Sequence, residues 1–155
     1  MVGVGDEAPD FHGATQSGST VTLAQLRGRP VILFFYPKAN TAGCTLETRG
    51  FAEHYPELQR AGFEVIGVSV DSVETQRGFA EKCHAAFPLV ADLDRAIARQ
   101  YGVLGFMGVA KRVTFFVGPT GRIEEVVEGM LPGPHLKRAL ARLKSTPASA
   151  AAASP

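Results

Sequence analysis

The chain alternates between short, continuously apolar runs and stretches in which apolar residues recur every three or four positions. The apolar runs and shorter alternating segments predict strands, which we place at residues 20–23, 31–36, 63–70, 87–90, 112–117 and 122–127. The stretches with a helical period predict helices, which we place at residues 44–58, 73–85, 94–101 and 135–143. Residues 6–18 contain Pro9, Gly13 and Gly18 and are interpreted as an irregular arm. This order, ending in a hairpin and a helix, predicts a three-layer α/β domain with a mixed sheet flanked by helices.

The composition favours one soluble domain without nucleic-acid or membrane partners. A chain of 155 residues can bury a core, and 16 Lys and Arg against 15 Asp and Glu leave no strong charge to attract such partners. No apolar run approaches the length of a membrane span, and no leader sequence is visible. Two cysteines are too few for a disulfide scaffold and fit a reducing compartment, so we expect a cytoplasmic protein. The domain is placed at residues 1–144, and the Ala- and Ser-rich residues 145–155 are expected to be a mobile tail.

Cys44 stands where a predicted helix begins, shortly after the apolar strand 31–36. The thiolate is the reactive form of cysteine, and a helix N-terminus favours that anion. A buried core thiol is the ordinary interpretation of such a cysteine. Three neighbours favour chemistry instead: Pro37 ends the strand, Thr41 brings a hydroxyl close to the thiol, and Gly43 allows a backbone N–H to approach closely. Together they predict a small polar niche suited to an anion or to oxygen atoms that gain negative charge.

The spacing Pro37-x-x-x-Thr41-x-x-Cys44 matches the active-site motif of the peroxiredoxins. Further segments resemble the bacterioferritin-comigratory, or PrxQ, subfamily: Gly5-Asp6-x-Ala8-Pro9-x-Phe11, Phe35-Tyr36-Pro37-Lys38, Cys44-Thr45-x-Glu47, Val65-Ile66-Gly67-Val68-Ser69, Phe87-Pro88-Leu89 and Arg112-x-Thr114-Phe115. The resemblance extends over about residues 3–143. It implies a thioredoxin-like fold and a thiol-dependent peroxidase that reduces hydrogen peroxide and organic hydroperoxides.

The resemblance also implies roles for individual residues. Cys44 would attack the O–O bond of the peroxide and become a sulfenic acid, while Thr41 and Arg112 would hold the peroxide and stabilise the thiolate. By position alone, Arg112 is an ordinary basic residue at a strand start, and only the resemblance gives it a role. The counterpart of Glu47 helps to fix the catalytic arginine in the family, so Glu47 is expected to support the site together with Pro37.

Cys83 is the candidate resolving cysteine. The subfamily often carries its resolving cysteine in the helix predicted at 73–85, although Cys83 stands about one turn later than the resemblance leads us to expect. The other known placement, five residues after Cys44, is occupied by Arg49. If Cys83 resolves, it forms an intramolecular disulfide that a thioredoxin-like dithiol protein reduces. Cys83 also shares an apolar arc with Phe79 and Ala80, so a structural thiol in a one-cysteine enzyme that needs an external thiol remains open.

Two other classes of function compete with the peroxidase. A thioredoxin-type disulfide oxidoreductase is disfavoured because Thr41 and Glu47 stand where a Cys-x-x-Cys motif would need a second cysteine. A redox sensor or holdase without turnover would share the motif and stays open. The apolar residues Leu104, Phe106 and Met107 either form a collar that accepts organic hydroperoxides or pack against the arm.

Peroxide and a thioredoxin-like reductant are the expected partners, and we expect a monomer. The four histidines show no metal-binding spacing, and the chain has neither a phosphate loop nor a dinucleotide fingerprint. No metal or cofactor is therefore expected.

Overall fold

Seven β-strands and four α-helices make up residues 1–145, the part of the chain that the computed structural model describes. The strands are β1 (His12–Ala14), β2 (Thr20–Thr22), β3 (Val31–Phe35), β4 (Glu64–Ser69), β5 (Leu89–Ala91), β6 (Val113–Val117) and β7 (Ile123–Glu128). The helices are α1 (Ala42–Arg60), α2 (Val73–Cys83), α3 (Ala96–Tyr101) and α4 (Pro132–Ser145). Ser145 ends α4, whereas the remainder of the predicted tail, residues 146–155, lies outside the described residues.

Five of the strands form one mixed sheet in the order β5-β4-β3-β6-β7. The central strand β3 runs parallel to β4 and antiparallel to β6. β5 continues the parallel half beside β4, and β7 continues the antiparallel half beside β6. The mixed sheet predicted from the sequence is therefore confirmed, and β3 ends at its centre, where the chain enters the loop that leads to Cys44.

Both faces of β3 are covered, which explains its continuously apolar sequence. Val31, Leu33 and Phe35 pack into a core that contains residues of α3 and of the N-terminal arm. The alternate residues of the strand face a second core, which contains residues of α1, α2 and α4. The domain thus has three layers, and the helix that begins with the candidate thiol lies in the same layer as α2 and α4.

α1 is longer at both ends than the apolar stripe predicts. It begins at Ala42, after Thr41 in an extended conformation, so Cys44 lies within its first turn and not at its first residue. Pro56 lies inside the helix and does not end it. A proline removes one backbone hydrogen bond, and the burial of Leu58 in the core beneath favours continuation of the helix beyond it.

The predicted boundaries of α2, α4 and the arm also need correction. α4 begins at Pro132 and not at His135. The N–H groups in the first turn of a helix have no partner within the helix, so a proline there removes no hydrogen bond. α2 ends at Cys83, since His84 takes a left-handed conformation with φ 57°. The arm, interpreted as irregular, contains the strand β1, which pairs with β2 in a small antiparallel sheet. The other boundaries differ from the prediction by one or two residues.

The segment between α3 and β6 divides its apolar residues between core and solvent. Leu104 packs against the core that contains the arm, whereas Phe106 and Met107 are almost fully exposed. The predicted three-residue collar is therefore not formed by these residues as one group. None of the helices within residues 1–145 is long and apolar enough to cross a membrane.

Candidate active site

The thiol of Cys44 lies in the first turn of α1 and is buried, with a relative exposure of 1%. Thr41 is the N-cap of this helix but makes no side-chain hydrogen bond to its first turn. The first N–H groups of a helix have no partner within the helix and carry the positive end of its dipole. Cys44 is thus placed where a negatively charged sulfur, or oxygen atoms that gain charge beside it, would be stabilised.

Arg112 reaches the thiol from a distant part of the chain. It directly precedes β6, whose Val113 is paired with Phe35 at the end of β3. The antiparallel pairing therefore delivers Arg112 to the loop that follows β3. Its Nη2 atom donates a hydrogen bond to Sγ of Cys44 at 3.4 Å.

Two further hydrogen bonds fix the guanidinium group of Arg112. Nη1 donates to Oε1 of Glu47 at 2.5 Å, and Nε donates to the carbonyl oxygen of Met130 at 2.8 Å. Its three nitrogens therefore bind two residues in the first two turns of α1, Cys44 and Glu47, and the loop before α4. The guanidinium group is planar, and all three bonds form in only one orientation of it. These bonds therefore fix the position of the group beside Cys44.

Glu47 follows Cys44 by almost one turn of α1 and is completely buried. Burial raises the pKa of its carboxyl group to about 7, against the charge and hydrogen bond of Arg112, which lower it. For Arg112, burial acts to lower the pKa, but the charges of Glu47 and Cys44 outweigh it and raise the pKa above its ordinary value. Arg112 is therefore a permanent cation that is almost completely buried.

The glycine before the thiol is required by packing. A Cβ atom on Gly43 would lie 3.0 Å from Nη2 of Arg112 and 3.8 Å from the ring of Pro132. A side chain at this position would therefore press on the guanidinium group that contacts Cys44. The sequence suggested that Gly43 permits a close approach of its backbone; the structure shows that it also makes room for Arg112.

Pro37 and Thr41 shape the loop between β3 and α1. The N–H of Tyr36 still bonds to the carbonyl of Val68, whereas Pro37 has no N–H, and the pairing with β4 ends there. The hydroxyl of Thr41 donates to the carbonyl of Lys38 at 2.7 Å, and the Thr41 side chain is exposed. Since a hydroxyl keeps acceptor capacity when it donates, Thr41 can still accept a hydrogen bond from a molecule above the thiol.

Cys83 is buried in the same core as Cys44, and both thiols are free. It is the last residue of α2, and burial raises the pKa of its thiol, against Arg49 and Lys82, which lower it. Arg49 also donates to the carbonyl of Lys82 at 3.4 Å and so ties this end of α2 to α1. Cys83 thus lies in the helix layer that carries the site, but it is not bonded to Cys44.

Three contributors to the site were missed by the sequence analysis. Met130 acts through its backbone carbonyl, for which the side-chain sequence carries no signal. Thr114 and His135 form a buried hydrogen bond of 2.8 Å next to Glu47. The position of Thr114 two residues after Arg112 on one strand could have indicated a shared face, whereas His135 was examined only for metal-binding spacing. Among residues 1–145, no group of three His, Cys, Asp or Glu side chains could hold a metal ion.

Comparison with known proteins identifies the family. The model of the AhpC/TSA family matches residues 4–126. Peroxiredoxin Bcp of Escherichia coli (strain K12) is 38% identical over 138 residues, which cover 84% of this chain and 88% of that protein. The chain belongs to the peroxiredoxins.

Relatives and solved structures agree on the type of peroxiredoxin. Chloroplastic peroxiredoxin Q of Sedum lineare is 32% identical over 144 residues, or 91% of this chain and 77% of that protein. The crystal structure of peroxidoxin BcpB from Mycobacterium tuberculosis superimposes with a TM-score of 0.86 at 33% identity and covers 95% of this chain and 99% of that one. The bacterioferritin comigratory protein of Xanthomonas campestris gives 0.81 at 32% identity over 87% and 90% of the two chains. The thioredoxin-like fold and the resemblance to the Bcp and PrxQ proteins are thereby confirmed.

Peroxiredoxins are thiol peroxidases, so this peroxiredoxin is an oxidoreductase that acts on peroxide with a thiol reductant. The geometry around Cys44 agrees with that chemistry. The enzyme combines a buried sulfur at a helix N-terminus with a fixed cation and offers no metal cluster within the described residues.

Replacement of Arg112 by methionine should slow the oxidation of Cys44 by peroxide by roughly 10²–10³-fold, because one fixed donor to the developing negative charge is lost. The oxidation is measured by mass spectrometry after rapid quenching. Glu47 would be left buried without its partner, so Arg112→Met should also unfold at a lower temperature.

The double variant Arg112→Met/Glu47→Gln is the matched control for that instability, since it removes the unpaired carboxylate as well. It should regain thermal stability and still react slowly. A double variant that reacts at the wild-type rate would show that Arg112 contributes only to folding.

Proposed function

We propose that this peroxiredoxin reduces hydrogen peroxide and organic hydroperoxides with Cys44 as the peroxidatic thiol and Cys83 as the resolving thiol. One observation carries the first assignment: Sγ of Cys44 lies 3.4 Å from Nη2 of Arg112, at the N-terminus of α1. Cys83 has no such environment. It lies at the C-terminal end of its helix, where the dipole disfavours an anion.

The first step is attack by the Cys44 thiolate on the terminal oxygen of the peroxide. The S–O bond forms as the O–O bond breaks, and the second oxygen leaves as an alkoxide or hydroxide that takes a proton from solvent. Sulfur is oxidised to the sulfenic acid, and the peroxide is reduced by two electrons to an alcohol or water. In this step Arg112 and the N–H groups of the first turn stabilise the negative charge that shifts from sulfur to oxygen.

Thr41 completes the proposed peroxide site. Its hydroxyl donates a hydrogen bond to the carbonyl of Lys38, so its oxygen is free to accept a hydrogen bond from the O–H of a hydroperoxide. That bond would orient the peroxide for attack along the S–O–O line. Without this acceptor, the substrate would be held only by donors.

Exposed apolar side chains beside the site support organic hydroperoxides as substrates. Leu46 follows Cys44 by two residues, and Met130 and Leu131 lie in the segment whose carbonyl binds Arg112; these three side chains are 65–72% exposed. An alkyl group on the leaving oxygen could cover part of this surface. The related Xanthomonas campestris protein is described as active in alkyl peroxide reduction.

Replacement of Cys44 by serine should abolish peroxide consumption in a steady-state assay with a thioredoxin system, because a hydroxyl is not ionised at neutral pH. Wild-type enzyme is the reference. Turnover retained by Cys44→Ser would remove the assignment. A wild-type protein whose Cys44 is oxidised but which never turns over would instead support the redox sensor or holdase.

We infer that resolution by Cys83 proceeds through local opening of α2. Disulfide geometry is strict, whereas both thiols are free in the folded state and packed in the core beneath the helix layer. Burial raises the pKa of Cys83, so opening would also make its sulfur more reactive. The Cys83 sulfur then attacks the Cys44 sulfur, the S–S bond forms, and hydroxide leaves and is protonated to water.

The two halves of α2 are held unequally. In the N-terminal half, Ser72 caps the helix, and the buried amide of Gln76 bonds to Tyr36, Ser69 and the carbonyl of Val90. Further along, Gly78 is exposed and has no neighbour within 4 Å of where a Cβ would be. A glycine inside a helix costs about 0.5–1 kcal/mol relative to alanine. We therefore infer that the turn that carries Cys83 opens more easily than the first half of α2, against the bond from Arg49 to the carbonyl of Lys82.

Thioredoxin, or a similar dithiol protein, is the proposed reductant of the resulting disulfide, and it becomes a disulfide itself. Both proposed thiols belong to one chain, so the cycle needs no second copy and fits a monomer. Free thiols are typical of a reducing compartment, which favours the cytoplasm.

Replacement of Cys83 by serine should change the mass of the product formed with one equivalent of peroxide. We expect wild-type enzyme to lose two hydrogens, as a disulfide, and Cys83→Ser to gain one oxygen that a thiol reductant removes. Unimpaired thioredoxin-dependent cycling of Cys83→Ser would favour the one-cysteine enzyme, in which Cys83 is structural.

Replacement of Gly78 by alanine should slow disulfide formation by roughly 2–5-fold, the factor that corresponds to about 0.5–1 kcal/mol of added helix stability. Sulfenic acid formation in the same variant is the internal control, since Gly78 does not contact the site, and it should be unchanged. Quenched samples analysed by mass separate the two steps. Equal rates of disulfide formation in both proteins would place the opening elsewhere.

A further inference from the structure

His135 is a fully buried histidine beside the site, and the mechanism above does not use it. Its Nε2 atom lies 2.9 Å from the carbonyl oxygen of Gly129, and Nδ1 lies 2.8 Å from the hydroxyl of Thr114. A carbonyl can only accept, so Nε2 carries the proton and Nδ1 accepts from Thr114. Burial lowers the pKa of His135, as does the charge of Arg112, against the bond to Gly129, which raises it. The imidazole is therefore neutral and has one defined tautomer.

Together with two bonds of Arg112, these bonds form a closed set of hydrogen bonds, here called the circuit, that joins Arg112, Thr114, His135, Gly129 and Met130. The N–H of Gly129 donates to the carbonyl of Arg112 at 3.2 Å, and Nε of Arg112 donates to the carbonyl of Met130 at 2.8 Å. Thr114 is the second residue of β6, which Arg112 directly precedes. His135 therefore joins the strand that supplies Arg112 to the loop that holds its side chain.

The same imidazole borders the carboxyl group of Glu47. Nδ1 lies 3.9 Å from Oε2 of Glu47, which is buried and has no hydrogen-bond partner among residues 1–145. Because the Nδ1 lone pair is occupied by Thr114, His135 offers no proton to Oε2. Glu47 is thus left to bond through Oε1 to Arg112, with no competing donor from this side.

We propose that His135 is a positioning residue for peroxide reduction, which holds Arg112 against Cys44 through the loop that contains Gly129 and Met130. This inference rests on the proposed role of Arg112 at the thiol. It assigns a function to a residue in the first turn of α4.

The test compares two replacements of His135. His135→Leu fills the space but makes neither hydrogen bond, and we expect it to slow Cys44 oxidation by hydrogen peroxide roughly tenfold to a hundredfold, the usual cost of a group displaced by about 1 Å. His135→Gln can place an amide N–H near the position of Nε2 and should restore the rate to within about threefold of wild type. The chain has no tryptophan, so the rates are followed by quenched mass spectrometry and not by intrinsic fluorescence.

A matched control separates positioning from folding. Ala139 is buried one turn further along α4 and lies outside the circuit, so Ala139→Gly should lower the melting temperature without slowing Cys44 oxidation. A folded His135→Leu that reacts at the wild-type rate would overturn the proposal. So would a His135→Gln as slow as His135→Leu.

The Arg112→Met background tests the route of the effect. In that background His135→Leu should not slow Cys44 oxidation further, because the arginine that His135 positions is already absent. A further loss equal to that in wild type would overturn the proposal. If Arg112→Met itself reacts at the wild-type rate, the proposed function of Arg112 fails. If Arg112→Met is slow and His135→Leu is not, only the role of His135 fails.

Discussion

The buried ion pair between Arg112 and Glu47 is the interaction on which the site depends. Isolated charges are costly to bury, and a pair is tolerated only when its geometry is good and the remaining hydrogen-bonding groups are satisfied. Arg112 meets that condition with bonds to Glu47, Met130 and Cys44. Glu47 meets that condition at Oε1 only, because Oε2 has no hydrogen-bond partner in the described part of the chain. The pair therefore serves to fix a cation beside sulfur more than to stabilise the fold.

Two structural constraints make this pair possible. β6 runs antiparallel beside β3, and this pairing brings the residue before Val113 to the end of β3. Gly43 then leaves space for the guanidinium group where any side chain would intrude. The central sheet and a single glycine thus help to determine the position of a charge whose partners lie on α1 and in the loop before α4.

The sequence predicted the parts of the structure that depend on local pattern. The apolar run at β3 and the stripe of α1 are visible because burial on each face follows the strand and helix periods. Pro37, Thr41 and Cys44 are close in the chain, so their spacing alone indicated a niche. Arg112 was found only through the family resemblance, since its role depends on strand pairing over a long separation.

Other features could not be found from the residue pattern. The carbonyl of Met130 binds Arg112 whatever its side chain, and the neutral state of His135 depends on partners from a strand and a loop. The first turn of α4 contains two prolines, which were interpreted as a stretch before the helix. Local propensity favours that interpretation, but prolines are tolerated where N–H groups have no partner.

The two cysteines lie in helix turns that are held in place to different degrees. Cys44 lies in the first turn of a long helix that is tied to the sheet by Arg112, whereas Cys83 lies in the last turn of a short helix after an exposed glycine. In the proposed cycle, the thiol that attacks peroxide is fixed beside the sheet, and the thiol that moves to it lies in the last turn of α2, after the exposed glycine. The same helix layer therefore contains a firmly held turn at the start of α1 and a less firmly held turn at the end of α2.

The separation of 65 residues between Glu47 and Arg112 also has a consequence during synthesis. A ribosome delivers the chain from its N-terminus at about 5–20 residues per second, so Cys44 emerges several seconds before its cation. Until β6 docks beside β3, Arg112 is not held beside the thiol. On the proposed role of Arg112, a nascent chain thus carries an ordinary cysteine, and sensitivity to peroxide arises only when the domain has closed.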